Sequence, residues 1–192
     1  MFDKRANKIV AIKKMKLEMA NEGIPKHCLR EISILKEFQH KNILKLEKVI
    51  QQNNILFLVF EYLDLDLEKF ISDNLENNRQ ADKRLVKKII KEILEGIYAM
   101  HSNYLIHRDL KPANILLSAK FETKIADFGL SRKVDVLTQK AYTKEVVSLY
   151  YRAPEALTEQ MYSFPLDIWS IGCIFYELCM NRPCFYGDCQ TD

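Results

Sequence analysis

The spacing of apolar positions changes several times along the chain, and each change predicts an element. In KIVAIKK, residues 8–14, β-branched residues crowd a short apolar run, which predicts a strand carrying Lys13. EGIPKHCLREISILKEF, residues 22–38, switches to helical spacing. Pro25 suits a first turn, and Leu29, Ile32 and Leu35 or Phe38 recur as the stripe of one buried face. ILKLEKVI and NNILFLVF read as two antiparallel strands joined by a turn at Gln51 to Asn54. The acidic EYLDLD ends that sheet and divides a first lobe, residues 1–63, from a second, residues 64–192.

Beyond the boundary the pattern turns helical. The polar stretch SDNLENNRQADKR is expected to be a solvated loop between helices. Leu85, Val86, Ile89, Ile90, Ile93, Leu94 and Ile97 then repeat every three to four residues, the stripe of a long buried helix. Strands return only as NILL and TKIA, short enough for a small hairpin flanking the loop HRDLKPAN on one side and DFG on the other. From Leu166 to Met180 the chain is apolar nearly all round, which predicts a helix at the centre of the helical lobe rather than at its surface.

Composition narrows the classes. A chain of 192 residues can bury a sizeable core, and 29 basic against 26 acidic residues leaves a net charge of +3, too small and dispersed for nucleic acid to be the main partner. The longest apolar stretch is too short to span a bilayer and carries Glu177, and no secretory leader opens the sequence, so no membrane association is expected. Cys28, Cys173, Cys179, Cys184 and Cys189 lack zinc-like spacing and read as reduced, mostly buried thiols of an intracellular protein, placed in the cytoplasm, the nucleus or both.

The chemistry concentrates around one loop. Asp109 and Asn114 lie five apart, and Asp127 follows across the expected hairpin. Two carboxylates and a carboxamide converging there could orient a hydroxyl and hold Mg²⁺, which favours hard oxygen ligands shared with phosphates. A strand lysine, Lys13, paired with a helical glutamate, Glu31, could hold phosphates from the other side. VAIK, DFG or a helical Glu alone is more often a plain strand, turn or solvated side chain. HRDLKPAN satisfies the whole pattern H-R-D-L-x-x-x-N, which chance rarely does.

With VAIK, HRDLKPAN, DFG and APE in order, the sequence resembles the eukaryotic protein kinases. PKHCLRE, LVFEYLDLDLEKF, YTKEVVSLYYRAPE and DIWSIGCIFYEL are similar to segments of the cyclin-dependent kinases. The resemblance implies an α+β, two-lobed fold, with a small β-rich N-lobe bearing one helix and a larger helical C-lobe, both incomplete. It implies a serine/threonine kinase that uses ATP and Mg²⁺ on protein substrates with proline after the target residue, partnered by a cyclin-like regulatory subunit. The alternative is a kinase-like module that binds a cyclin or substrate and transfers little or no phosphate.

Carried over by motif, Asp109 would orient the substrate hydroxyl, Lys111 would neutralise the γ-phosphate, and Asn114 and Asp127 would hold magnesium. Lys13 and Glu31 would fix the phosphates. Backbone groups of Glu61 and Leu63 would bind adenine between Ala11 and Leu116, with Phe60 behind the pocket and Asp66 near the ribose. Thr143 matches an activation-loop phosphorylation site, with Arg30, Arg108 and Arg132 as the cluster receiving its phosphate. Val147 and Arg152 match positions that favour proline after the target residue. The first glycine is Gly23, beyond Lys13, and the chain ends at FYGDCQTD, so the glycine-rich loop and later helices of the family are expected to be missing. Among these is an arginine partner for Glu155 of APE.

Overall fold

The structure, a computed structural model, describes residues 1–4, 6–16, 26–134, 149–157 and 163–186. Four antiparallel strands open it: β1 (Phe2–Asp3), β2 (Lys8–Lys16), β3 (Leu46–Gln52) and β4 (Ile55–Glu61), arranged β1-β2-β4-β3. In the middle of this sheet, β4 buries Leu56, Leu58, Val59 and Phe60 and pairs along its full length with β2, from Val10↔Glu61 to Lys16↔Ile55. The β3–β4 turn is made by Asn53 and Asn54, both with positive φ (48° and 55°). Tight hairpins demand this conformation, and asparagine tolerates it better than most residues.

The helix α1 (Lys26–Glu37) packs against the sheet, but its buried stripe differs from the expected one. Cys28, Glu31, Ile34 and Leu35 face inward, whereas Leu29 is 50% exposed. The apolar pattern misjudged the face because a charged residue, Glu31, occupies an inward position where Lys13 compensates it.

After β4 come β5 (Leu65–Asp66), α2 (Leu67–Glu76), α3 (Lys83–Ser102) and β6 (Leu105–Ile106). Then follow β7 (Ile115–Leu117), β8 (Thr123–Ile125), β9 (Arg132–Lys133), α4 (Pro154–Leu157) and α5 (Pro165–Met180). The expected hairpin is β7–β8, with β5 as a third strand, and β6 pairs with β9. Both pairings are two residues long, too short to register as a pattern.

The solvated loop predicted from residue 72 is shorter than expected: α2 continues to Glu76 and α3 starts at Lys83. Asp66 caps α2 by accepting from the Lys69 amide, and Asp82 caps α3 by accepting from those of Arg84 and Leu85. Along α3, Val86, Ile89, Ile93, Ile97 and Met100 are buried, but Leu94 is 41% exposed and Ile90 only half-buried. Gly96 sits where α3 crosses the chain at Asn42 and Ile125. A Cβ there would lie 2.8 Å from Ile125 Cδ1 and 3.2 Å from the Asn42 carbonyl.

The expectation for α5 holds on one side only. Leu166, Ile171, Cys173, Ile174 and Leu178 are buried, while Ile168, Trp169, Phe175 and Met180 are exposed among the described residues. Past α5, Asn181 turns the backbone at φ 52°, and the segment returns along the helix to stack Phe185 on Trp169 and Tyr186 on Tyr150. Of the thiols, Cys28 and Cys173 are buried as expected, Cys179 and Cys184 are exposed, and Cys189 lies outside the described residues. No described helix is long and apolar enough to cross a membrane.

A continuous core joins sheet and helices, running from Cys28, Leu58 and Phe60 through Phe128 to Ile89, Ile93 and Ile174. This places the charged loop of residues 107–114 between the two.

Candidate active site

The loop that follows β6 is held from below by a single carboxylate. Asp167, in the first turn of α5 and fully buried, accepts the His107 amide on Oδ2 at 2.9 Å and the Arg108 amide on Oδ1 at 2.9 Å. His101 Nε2 lies 2.8 Å from the same Oδ2. Arg108 is thereby fixed in the left-handed region, φ 73°, which few non-glycine residues occupy without such support. Sequence reasoning missed Asp167. The available signal was an acidic residue opening an otherwise apolar helix in PLDIWSIG.

His107 ties the loop to the DFG segment. Its Nε2 is 3.0 Å from the Ala126 carbonyl, which can only accept, so Nε2 carries the proton. Nδ1 is then free to accept the Asp109 amide at 3.3 Å, and the ring meets Phe128 edge-on at 5.2 Å. Both nitrogens are satisfied in one neutral tautomer.

On this base sit the predicted catalytic groups. Asn114, in a short turn at Pro112–Asn114, donates Nδ2 to the Asp109 carbonyl at 2.7 Å and to Asp109 Oδ2 at 3.0 Å. Lys111 Nζ stands 3.4 Å from that same Oδ2. Asp109 Oδ1 is buried and has no hydrogen-bond partner among the described residues. A buried carboxylate oxygen left unpaired costs free energy, so a ligand donor such as a hydroxyl would relieve it.

Lys13, Glu31 and Asp127 meet opposite. Lys13 Nζ lies 2.9 and 3.0 Å from the two Glu31 oxygens and 3.0 Å from Asp127 Oδ1. Burial alone would lower the Lys13 ammonium, but Glu31 and Asp127 outweigh it and hold its pKa above the ordinary value. Burial would raise Asp127, and Lys13 together with the Gly129 amide brings it below the usual carboxylate value instead. Asp127 also has positive φ, 63°, while the neighbouring Ala126 amide donates to the Asn114 carbonyl at 2.9 Å and joins the two loops.

For magnesium the donor set is suitable. Asn114 commits its amide nitrogen to Asp109, leaving the oxygen as its ligand end, and Asp127 offers a carboxylate. Among the described residues no group of three His, Cys, Asp or Glu side chains forms an all-protein cage. Mg²⁺ needs none when phosphates complete its shell.

The residues expected around adenine come from β2, β4, β5, β7 and the segment between β4 and β5. Ala11 lies across from Phe60 in the β2–β4 register, Leu116 across from Asp66, and Ala11, Leu63 and Leu116 are partly buried against the core. The Glu61 amide donates to the Lys45 carbonyl at 3.3 Å, so of its backbone groups the carbonyl is the one suited to a ligand. The Glu61 side chain is engaged elsewhere, by the Lys45 amide and Lys124. Asp66 spends one oxygen on capping α2.

The arginines are brought together in part. Arg108 and Arg132 share the Leu130 carbonyl, at 3.4 and 3.2 Å. Arg30 lines a cleft with Ser33, Leu105 and Lys133, the last being the sequence neighbour of Arg132. Arg152 follows the short turn at Leu149–Tyr151 and is half-buried. Tyr151 of that turn, also missed from sequence, donates its hydroxyl to buried Glu177 of α5 at 2.7 Å, and the Ser170 hydroxyl donates to its carbonyl at 2.8 Å. Thr143 and Val147 lie outside the described residues.

A family model described as the protein kinase domain matches residues 1–192. The chain belongs to the protein kinase family. Transfer of phosphate is therefore its chemistry, and ATP with Mg²⁺ is what protein kinase domains generally bind. In this kinase the sheet with α1 and the helical region correspond to the α+β architecture expected from sequence.

Proposed function

We propose that this kinase is of the cyclin-dependent type and transfers the ATP γ-phosphate to serine or threonine followed by proline. The reading includes a cyclin-like subunit docking at α1 and a cytoplasmic or nuclear setting. The observation that carries the phosphate transfer in this reading is the buried, unpartnered Oδ1 of Asp109, whose other oxygen, Oδ2, is held by Lys111 and Asn114.

Asp109 Oδ1 would receive the substrate hydroxyl and take its proton, help worth roughly 10² to 10⁴ in rate. Lys111 would stabilise charge on the transferring phosphoryl group. Asn114 and Asp127 would hold Mg²⁺, which when bound neutralises phosphate charge. Lys13, kept cationic by Glu31, would orient the phosphates, and Ala11, Phe60, Glu61, Leu63, Asp66 and Leu116 would form the nucleotide pocket. Serine/threonine and proline preference rests on the sequence around Val147 and Arg152. Regulation rests on Thr143 with Arg30, Arg108 and Arg132.

The test is transfer of phosphate from Mg-ATP to a Ser-Pro peptide, with and without added cyclin. Activity above background is expected, falling by about 10² to 10⁴ in Asp109→Asn. Equal rates for the two proteins, or no activity in either condition, would overturn the catalytic reading and favour a binding module. A Ser-Ala peptide phosphorylated equally well would remove the proline preference alone.

A further inference from the structure

The chain that leaves α5 comes back along it. Phe185 stacks on Trp169 with ring centroids 5.6 Å apart and planes 10° apart, and Tyr186 stacks on Tyr150 at 5.5 Å and 15°. Trp169 and Cys173 are four residues apart on α5 and share a face, separated by about 6 Å along the axis. Cys184 precedes Phe185 on the path from the end of the helix toward Trp169, and one extended residue spans about 3.3 Å. By these spacings Cys184 falls within one helical turn of Cys173 along the axis.

The two thiols differ in surroundings. Cys173 is buried and Cys184 is exposed. Burial, followed by the charge of nearby Cys184, pushes the Cys173 thiol up to about 11. Cys179, six residues after Cys173, points to another side of the helix, where it lines a groove with Leu94 and Phe175.

We propose that Cys173 and Cys184 are a modification site, an oxidisable pair that a peroxide converts to a disulfide, fixing residues 181–186 onto α5. The exposed Cys184 sulfur attacks the peroxide O–O bond, becomes a sulfenic acid and releases hydroxide. The Cys173 sulfur then attacks it, the S–S bond forms and the sulfenic oxygen leaves as a second hydroxide. The two thiol protons turn both hydroxides into water, so two thiols are oxidised and one peroxide is reduced. The crosslink would hold Tyr186 on Tyr150, next to Tyr151 and Arg152. Any effect on substrate selection through that segment rests on the kinase reading above.

The full chain is treated with hydrogen peroxide and digested with chymotrypsin, which cuts at Tyr176, Leu178 and Met180 and so separates Cys173, Cys179 and Cys184. The expected product is a peptide pair joining Cys173 to Cys184, lighter by two hydrogens, with two free thiols lost. It persists in Cys179→Ser and disappears in Cys184→Ser, an exposed substitution that leaves the core alone. Trp169, the single tryptophan, reports on the segment: peroxide lowers its quenching by acrylamide in the parent chain and leaves Cys184→Ser unchanged. Unlinked Cys184 sulfinic acid, or Cys184 joined to Cys179, to Cys189 or to a second copy, would overturn the proposal. None of these readouts uses phosphate transfer, so this failure is distinct from failure of the kinase reading.

Discussion

Two aspartates in the same site are held in opposite ways. Asp167 is fully buried and takes up two backbone amides and a histidine, so its work is to set the path of the chain. Asp127 stands with its side chain 47% exposed and faces a lysine that arrives from the sheet, so its work is done at the surface of the cleft. The first defines a conformation and the second presents a charge. The fold should fail when Asp167 is altered, and the chemistry should fail when Asp127 is.

The sharpest break is Asp167→Asn. It removes one acceptor facing two amide donors in a dry site and should destabilise the protein by about 2 to 4 kcal/mol, read by urea unfolding. Loss under about 0.5 kcal/mol would mean the loop does not depend on this carboxylate. Next comes Gly96→Ala, whose Cβ meets Ile125 and the Asn42 backbone and should cost about 1 to 3 kcal/mol in the same measurement. An unchanged midpoint would show that α3 can move aside.

Asp127→Asn should cost less than about 1 kcal/mol, because an ion pair this open to solvent contributes little. It should nevertheless reduce Mg-ATP-dependent phosphate transfer as severely as Asp109→Asn. A large stability loss with activity retained would reverse the comparison. The smallest effect is the pH dependence. Asp127 has a lowered pKa, so its contribution is present above its unfolded value near 3.8 and is lost as pH falls through the lower folded value. Lys13 has a raised pKa, so its contribution is present below 10.5 and is lost as pH rises through the higher folded value. The urea-midpoint difference between the parent chain and Asp127→Asn should be flat between those limits and shrink at both ends. A difference that changed sign near neutrality would point to another group.

Much of this was legible from residues alone. α1 and α3 carry helical stripes, and β2, the β3–β4 hairpin, the β7–β8 hairpin and α5 carry apolar runs that stand out from their surroundings. HRDLKPAN stands out by its whole pattern, and Lys13, Glu31 and Asp127 by the order of VAIK, LRE and DFG around it. What escaped was of two kinds. Which face is covered depends on neighbours, so Leu29, Leu94 and the outer side of α5 were assigned to the core by hydrophobicity and lie in the open. Supports acting through backbone amides leave no motif. Asp167 and the Glu177–Tyr151 bond needed the fold itself to bring residues distant in sequence together.

The stitch between the turn after α1 and β8 has a mechanical consequence. Leu44 donates to the Ile125 carbonyl and Ile125 donates to the Asn42 carbonyl, each at 2.9 Å, while Asn42 Nδ2 reaches the Thr123 carbonyl at 3.0 Å. These bonds make a fulcrum just past Glu37, and α1, twelve residues or about 18 Å long, is the lever arm. Glu31 lies about 9 Å out, so a tilt of about 10° would carry it roughly 1.5 Å, enough to open its 2.9 Å contact with Lys13. The far end would swing twice as far, so whatever presses on Lys26 works with mechanical advantage over the ion pair.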